Sequence, residues 1–181
     1  MRPLLATLLL ATAPAVARAD DTPAGHCAVP GLNDVRVAGA GLYVGGEQDA
    51  AQLRKLKESL GVALVVDLRP EDAAGAVPEA KLAAAAGLRY QRIAIRGGDD
   101  LTLANAKRLD EALRGAKGAP VLVHCTSGNR AAALLALRDA LVLGQPPEVA
   151  LAFIGRSGLN KLEPVVRQRL AEAEPAKALH P

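Results

Sequence analysis

A histidine, a cysteine, a glycine and an arginine fall within seven consecutive positions, His124-Cys125-Thr126-Ser127-Gly128-Asn129-Arg130. Before them, Pro120-Val121-Leu122-Val123 reads as a buried strand; after them, the Ala- and Leu-rich stretch from Asn129 to Leu143 reads as a helix buried on most sides. A turn between such elements lets the backbone N–H groups of Thr126 to Arg130 converge on one anion, and the dipole of the following helix adds positive potential there. Gly128 allows the backbone to close tightly around that anion. The planar fork of Arg130 suits an oxyanion such as phosphate, sulfate or a thiosulfonate. Cysteines in such a field react as thiolates, which makes Cys125 the candidate nucleophile and gives His124 the role of supporting the loop and tuning the sulfur. The competing reading is a small buried cysteine at a strand end, with Gly128 and Asn129 as turn formers and Arg130 on the surface. Four such residue types on one strand-to-helix turn favour the anion loop.

A thiolate enzyme that cleaves a phosphomonoester also needs a proton for the leaving oxygen. Asp99 and Asp100 are the candidates, as the acids of the Gly-rich segment Arg96-Gly97-Gly98-Asp99-Asp100. Their alternative role is an acidic pair at a helix N-terminus, before Leu101 and Thr102, where the dipole favours negative charge. Asp67, at the end of another apolar run, is expected to organise the site through hydrogen bonds, with Arg69 as its partner. His26-Cys27 and the distant His180 do not make a spaced ligand set, so neither a metal nor another cofactor is expected.

The elements that must position these residues alternate. Val35-Arg36-Val37 and Leu42-Tyr43-Val44 flank a Gly-rich turn and predict a hairpin. Asp49 caps a helix carrying Leu53, Leu56 and Leu60 at helical spacing, and Gly61 stops it. Val62 to Leu68 is a continuous apolar run, the pattern of a strand covered on both faces. A helix from Pro78 to Ala86 and a strand from Leu88 to Ile95 follow, then a helix opened by Thr102 with Leu103, Ala106, Leu109, Ala112 and Leu113 on one face. Pro146 to Pro181 reads as two closing helices, with Arg156 and Lys161 on solvated faces. Short connections in this order imply right-handed crossovers and an α/β domain, a parallel-rich central sheet with helices on both faces. Ligands of such sheets collect at the carboxyl ends of the strands, where Asp67, Arg96 to Asp100 and Cys125 all lie.

The run His-Cys-x-x-Gly followed by Arg resembles the phosphate loop of the tyrosine and dual-specificity phosphatase superfamily. More specifically, Val121 to Ala132 is similar to the phosphatase-like domain of beta-lactamase hydrolase-like proteins, as are Leu42-Tyr43-Val44-Gly45-Gly46 and Val65-Val66-Asp67-Leu68-Arg69. The resemblance covers most of the chain after its first 19 residues. It implies a phosphatase-like fold with Cys125 as nucleophile, Arg130 as oxyanion clamp and the amides of Thr126, Ser127, Gly128 and Asn129 as the anion cradle. Two departures stand out: four residues separate Cys125 from Arg130 where ordinary phosphatases have five, and Ala131 replaces the hydroxyl residue after the arginine. Six-membered loops of this kind also resemble those of rhodanese-like sulfurtransferases, which carry a persulfide. A sulfurtransferase using Cys125, and a non-catalytic anion-binding module, are the alternative functions.

The chain has 181 residues and a formal charge of +3. Arg2, the apolar run Leu4 to Val16 and Ala17-Arg18-Ala19 have the layout of a signal peptide covering residues 1–19, and the run is too interrupted for the roughly 20 apolar residues of a membrane span. Its removal would leave +1 and an exported chain, periplasmic or secreted, without a membrane anchor. Residues 20–33 read as an extended lead-in, 34–175 as the phosphatase-like catalytic domain and 176–181 as a tail. Near-neutral charge and only three aromatics, Tyr43, Tyr90 and Phe153, argue against nucleic acid. The expected partner is a phosphorylated or sulfur-containing substrate, either a small molecule or a protein. Cys27 is left three roles: a disulfide with Cys125, a resolving thiol or an inert one.

Overall fold

The computed structural model describes residues 28–178 except 33 and 75, with the side chains of 174–178 left aside. The signal-peptide residues and Cys27 therefore lie outside the described residues. The hairpin forms: β1 (Val35–Gly39) pairs antiparallel with β2 (Leu42–Gly45), with an irregularity between Val37 and Gly39. Three parallel strands complete the sheet, β3 (Leu64–Asp67), β4 (Arg89–Arg92) and β5 (Val121–His124). The spatial order is β1-β2-β5-β3-β4. β5 is thus the central strand, in register with β2 through Gly45↔His124 and with β3 through Asp67↔His124. That register brings the ends of three strands side by side, and it is why Gly45, Asp67 and His124 meet.

The period of two along each strand divides the core. Leu64, Val66, Val121 and Val123 face one cluster, covered by α3 (Leu103–Gly115), α4 (Asn129–Leu137), α5 (Pro147–Ser157) and α6 (Glu163–Ala178). Val65 and Leu122 face the other, with Leu53, Leu56 and Ala83 from α1 (Ala50–Leu60) and α2 (Ala76–Ala85). The fold is therefore the expected α/β domain. Local signals explain the helix ends: Asp49 and Gln52 form a reciprocal capping box, with bonds of 2.8 and 2.9 Å, and Gly61 closes α1 in the left-handed conformation at φ 65°. Thr102 Oγ1 accepts from the amide of Asn105 at 3.2 Å and starts α3.

Several boundaries differ from the sequence reading: the strand expected over Val62–Leu68 is Leu64–Asp67, and the helix expected over Pro78–Ala86 is Ala76–Ala85. β4 ends at Arg92, although the amides of Ile93 and Ile95 still donate to the carbonyls of Asp67 and Leu68 at 3.0 and 2.9 Å. β4 is the edge strand, so only one side of this segment is held by the ladder. The helix expected to reach Leu143 is α-helical to Leu137 and widens into a π turn over Arg138–Val142. There Arg138 is drawn to Asp110 of α3 by contacts of 3.0 Å from both Nε and Nη2. The final helix runs through Ala178, beyond the boundary drawn at residue 175.

Candidate active site

The loop after β5 owes its shape to backbone contacts with the exit of β2. The Cys125 amide donates to the Gly45 carbonyl at 3.3 Å, the Thr126 carbonyl accepts from the Glu47 amide at 3.2 Å, and Gly46 forms an isolated bridge with Ser127. Gly128 turns the chain into α4 with φ 84°; a Cβ there would stand 3.1 Å from Leu159 and 3.3 Å from the Gly45 carbonyl oxygen, so both the backbone conformation and the packing call for glycine. The Gly128 amide, one of the N–H groups at the start of α4 with no helical acceptor, donates to Cys125 Sγ at 3.2 Å. Cys125 is 1% exposed and forms no disulfide among the described residues. Thr126 and Ser127, by contrast, face solvent. The sulfur therefore sits on the floor of a loop whose rim is open.

Arg130 leaves the first turn of α4 and spans the loop. Its Nη2 donates to Thr126 Oγ1 at 3.0 Å and its Nη1 to the Ile95 carbonyl at 2.6 Å. Asn129 fixes the other flank, donating to Ser127 Oγ at 3.2 Å and accepting from the Lys161 amide at 3.0 Å. The Lys161 and Arg156 side chains are exposed, as expected of solvated faces. The Ile95–Arg96 peptide is held at both ends, because its N–H donates to Asp100 Oδ2 at 2.7 Å while its carbonyl receives Arg130. Asp100 thus anchors the segment on which Arg130 leans. Asp99, its neighbour in a 3-10 turn (Gly98–Asp100), is fully exposed, with Oδ1 3.9 Å from Arg169 Nη2. Neither carboxylate hydrogen-bonds to a residue of the Cys125–Arg130 loop. Across the same opening, Arg96 pairs with Asp72 at 3.1 Å; this contact holds the Asp72 carboxyl below its ordinary range.

Beneath the loop lies a closed polar layer. Arg69, fully buried, donates Nε to both Asp67 oxygens at 3.0 and 3.1 Å and Nη2 to Asp67 Oδ2 at 2.8 Å; Nη2 also binds Glu79 Oε2, and Nη1 contacts Glu47 Oε1 at 2.9 Å. The Tyr90 hydroxyl donates to Asp67 Oδ2 at 2.6 Å and receives Arg92 Nη2 at 3.0 Å. His124 completes the layer, with Nε2 3.0 Å from Glu79 Oε1 and 3.7 Å from Asp67 Oδ1. Burial alone would raise the Asp67 carboxyl; the Arg69 hydrogen bond, the charge of His124 and the Tyr90 hydroxyl outweigh it and hold the group below its usual range. For Tyr90, burial followed by the Asp67 carboxylate pushes the phenol well above its ordinary value.

Asp67, Glu79 and His124 offer ligand atoms within 4.8 Å of one another. Arg69 Nη2 is already shared by both carboxylates, through Asp67 Oδ2 and Glu79 Oε2. Sequence reasoning paired Asp67 with Arg69, and the structure brings them together; it passed over Glu79, Tyr90 and Glu47. The signal for Glu79 was present. It lies on the buried stripe Ala76, Glu79, Ala83 of α2, where an acid at an apolar position calls for a partner.

Residues 34–142 match the phosphatase-like domain of beta-lactamase hydrolase-like proteins. The chain belongs to that family. No curated protein sequence matches it. Its fold is shared by solved structures of lower identity. A DUF442 protein of Shewanella putrefaciens CN-32 is 24% identical, with a TM-score of 0.61 over 78% of this chain and 92% of that one. TpbA of P. aeruginosa, captured with pTyr, is 21% identical, with a TM-score of 0.65 over 83% of this chain and 90% of that one. PTPMT1 in complex with PI(5)P is 21% identical, with a TM-score of 0.55 over 78% of this chain and 99% of that one. The protein is thus a phosphatase-like domain with the tyrosine and dual-specificity phosphatase type of fold.

Proposed function

We propose that the protein is an exported, cysteine-dependent phosphomonoesterase. The observation that carries this reading is the buried Cys125 Sγ receiving the Gly128 N–H at 3.2 Å, in the loop whose Thr126 hydroxyl accepts from the Arg130 guanidinium at 3.0 Å. A phosphoryl group seated on the amides of Thr126 to Asn129 would have its oxygens neutralised by those N–H groups, the α4 dipole and Arg130. Cys125 Sγ then donates an electron pair to phosphorus as the phosphorus–oxygen ester bond breaks, giving a cysteinyl phosphate and an alcohol. Water attacks this intermediate in a second displacement, releasing inorganic phosphate and restoring the thiolate.

The alcohol takes a proton on leaving, and we assign that proton to the Asp99–Asp100 pair. Asp100 is engaged in holding Arg96, which leaves Asp99 as the donor and Asp100 as the anchor of the segment. Asp99→Asn should then lower turnover of an alkyl phosphate by about 10², the usual contribution of a general acid, while an activated aryl phosphate is much less affected. The four-residue spacing favours one second reading, sulfur transfer through a Cys125 persulfide. Parallel assays separate the two: release of phosphate from an aryl phosphate supports the phosphatase, whereas thiocyanate from thiosulfate and cyanide without phosphate release overturns it.

A further inference from the structure

The ring of His124 is completely buried, and both of its nitrogens face oxygen atoms that have no hydrogen to give. Nδ1 lies 3.3 Å from the backbone carbonyl of Cys125, and a carbonyl only accepts. Nε2 lies 3.0 Å from Glu79 Oε1 and 3.7 Å from Asp67 Oδ1, near enough for charge to act but outside the alignment of a hydrogen bond. The other carboxylate oxygen of Glu79 accepts from Arg69 Nη2. An unprotonated Nδ1 would present its lone pair to the Cys125 carbonyl, and an unprotonated Nε2 would leave its electron-rich edge 3.0 Å from a carboxylate oxygen, repulsions that burial makes costly. Charge leads to the same assignment: Asp67 and Glu79 contribute two negative charges and Arg69 one positive, so the buried layer is neutral only if His124 carries the fourth charge. Around these four, Tyr90 enters through its neutral hydroxyl from β4, Arg92 stands behind Tyr90, and Glu47 meets Arg69 from the solvent side.

We propose that Glu79 is a positioning residue of the anion loop: with Asp67 it holds His124 as a doubly protonated imidazolium, which fixes the Cys125 carbonyl and sets a buried positive charge directly behind the sulfur. The proposal rests on the reading of Cys125 as the reactive group. Glu79 acts only through His124 and touches no substrate. The arrangement accounts for the complete burial of a histidine next to a nucleophile, and for an acid on the inner face of an otherwise apolar helix.

Two measurements test it, neither using a phosphoryl substrate, so failure of the phosphatase reading would show separately in the aryl phosphate assay. In wild-type protein labelled with 15N-histidine, long-range proton–nitrogen correlation at neutral pH should show both ring nitrogens of His124 protonated, the signals being assigned by their loss in His124→Asn. An unprotonated nitrogen on that ring overturns the proposal, whatever the variants do. For Glu79→Gln, the rate of iodoacetamide alkylation at Cys125, followed on the Cys125 peptide, should fall about tenfold near pH 6.5 and less than about twofold near pH 9, the pattern of one lost unit of differential charge stabilisation. Glu79→Asp, which keeps the charge, should recover part of the rate near pH 6.5. Equal losses at the two pH values would reduce Glu79 to a packing role, and no loss would contradict the proposal outright.

Discussion

The anion loop and the polar layer under it are both dense in charge, yet they are built in opposite ways. In the lower layer, Asp67, Arg69, Glu79 and His124 are all sealed from solvent and bound to one another. In the loop, Thr126 and Ser127 are exposed and no acid lies between Cys125 and Arg130. A balanced cluster has nothing left to offer a ligand; an unbalanced ring of donors is incomplete without one. On the proposed function, ligand binding and rigidity fall to adjacent levels of one structure, with β5 running between them through His124 and Cys125. Substitutions above that line should cost activity and spare the fold, and substitutions below it should cost the fold first.

The largest effect is expected from Cys125→Ser. It should abolish turnover, since a hydroxyl stays protonated at neutral pH and is a far poorer nucleophile, while the thermal midpoint stays near that of wild type. Arg130→Lys should lower kcat/KM for an aryl phosphate by roughly 10² to 10³, the cost of losing a donor to a developing oxyanion, because a point charge cannot replace the fork. Its midpoint should fall only slightly. Arg69→Met makes the opposing test. It leaves Asp67 and Glu79 buried without their cation and should destabilise by about 3–5 kcal/mol in denaturant titration. If Arg69→Met kept wild-type stability, or if Cys125→Ser unfolded the protein, the division between the two levels would be wrong.

Acid titration gives a smaller, graded version of the same test. The Asp67 carboxyl has a lower pKa in the folded chain than its reference value of 3.8. The folded state therefore binds that proton more weakly than the unfolded state. The resulting stability is fully present above the unfolded value and is lost as pH falls through the lowered folded one. Asp67→Asn should be less stable than wild type at neutral pH, with the gap closing as the pH is taken below 3.8. A gap that does not change with pH would mean that Asp67 contributes packing and not charge.

Much of the site could be read from the sequence because its signals are local. A strand, a turn with Gly128 and a helix start within a few residues, and Asp67 and Arg69 are two positions apart. The same holds for the capping box of Asp49 and Gln52 and for the stop at Gly61. What was missed depends on register between distant segments. Only the pairing of β5 with both β2 and β3 brings Gly45 and Asp67 to His124, and no periodicity shows which strand lies in the middle. Glu79 reaches the site from α2, 45 positions before His124, and its one local mark is the buried stripe it shares with Ala76 and Ala83. Asp99 and Asp100 look equivalent in sequence. The direction of two adjacent side chains in a 3-10 turn sends one to the Arg96 amide and the other into solvent.

The central claim is that Cys125 carries the phosphoryl group between two displacements. Acid quenching of the wild-type protein during turnover of an aryl phosphate, followed by peptide mass spectrometry, addresses it directly. The account predicts a phosphate adduct on the peptide containing Cys125, absent from Cys125→Ser treated in the same way. Phosphate release with no adduct on that peptide and undiminished in Cys125→Ser, or a persulfide on Cys125 with no phosphate release, would contradict it.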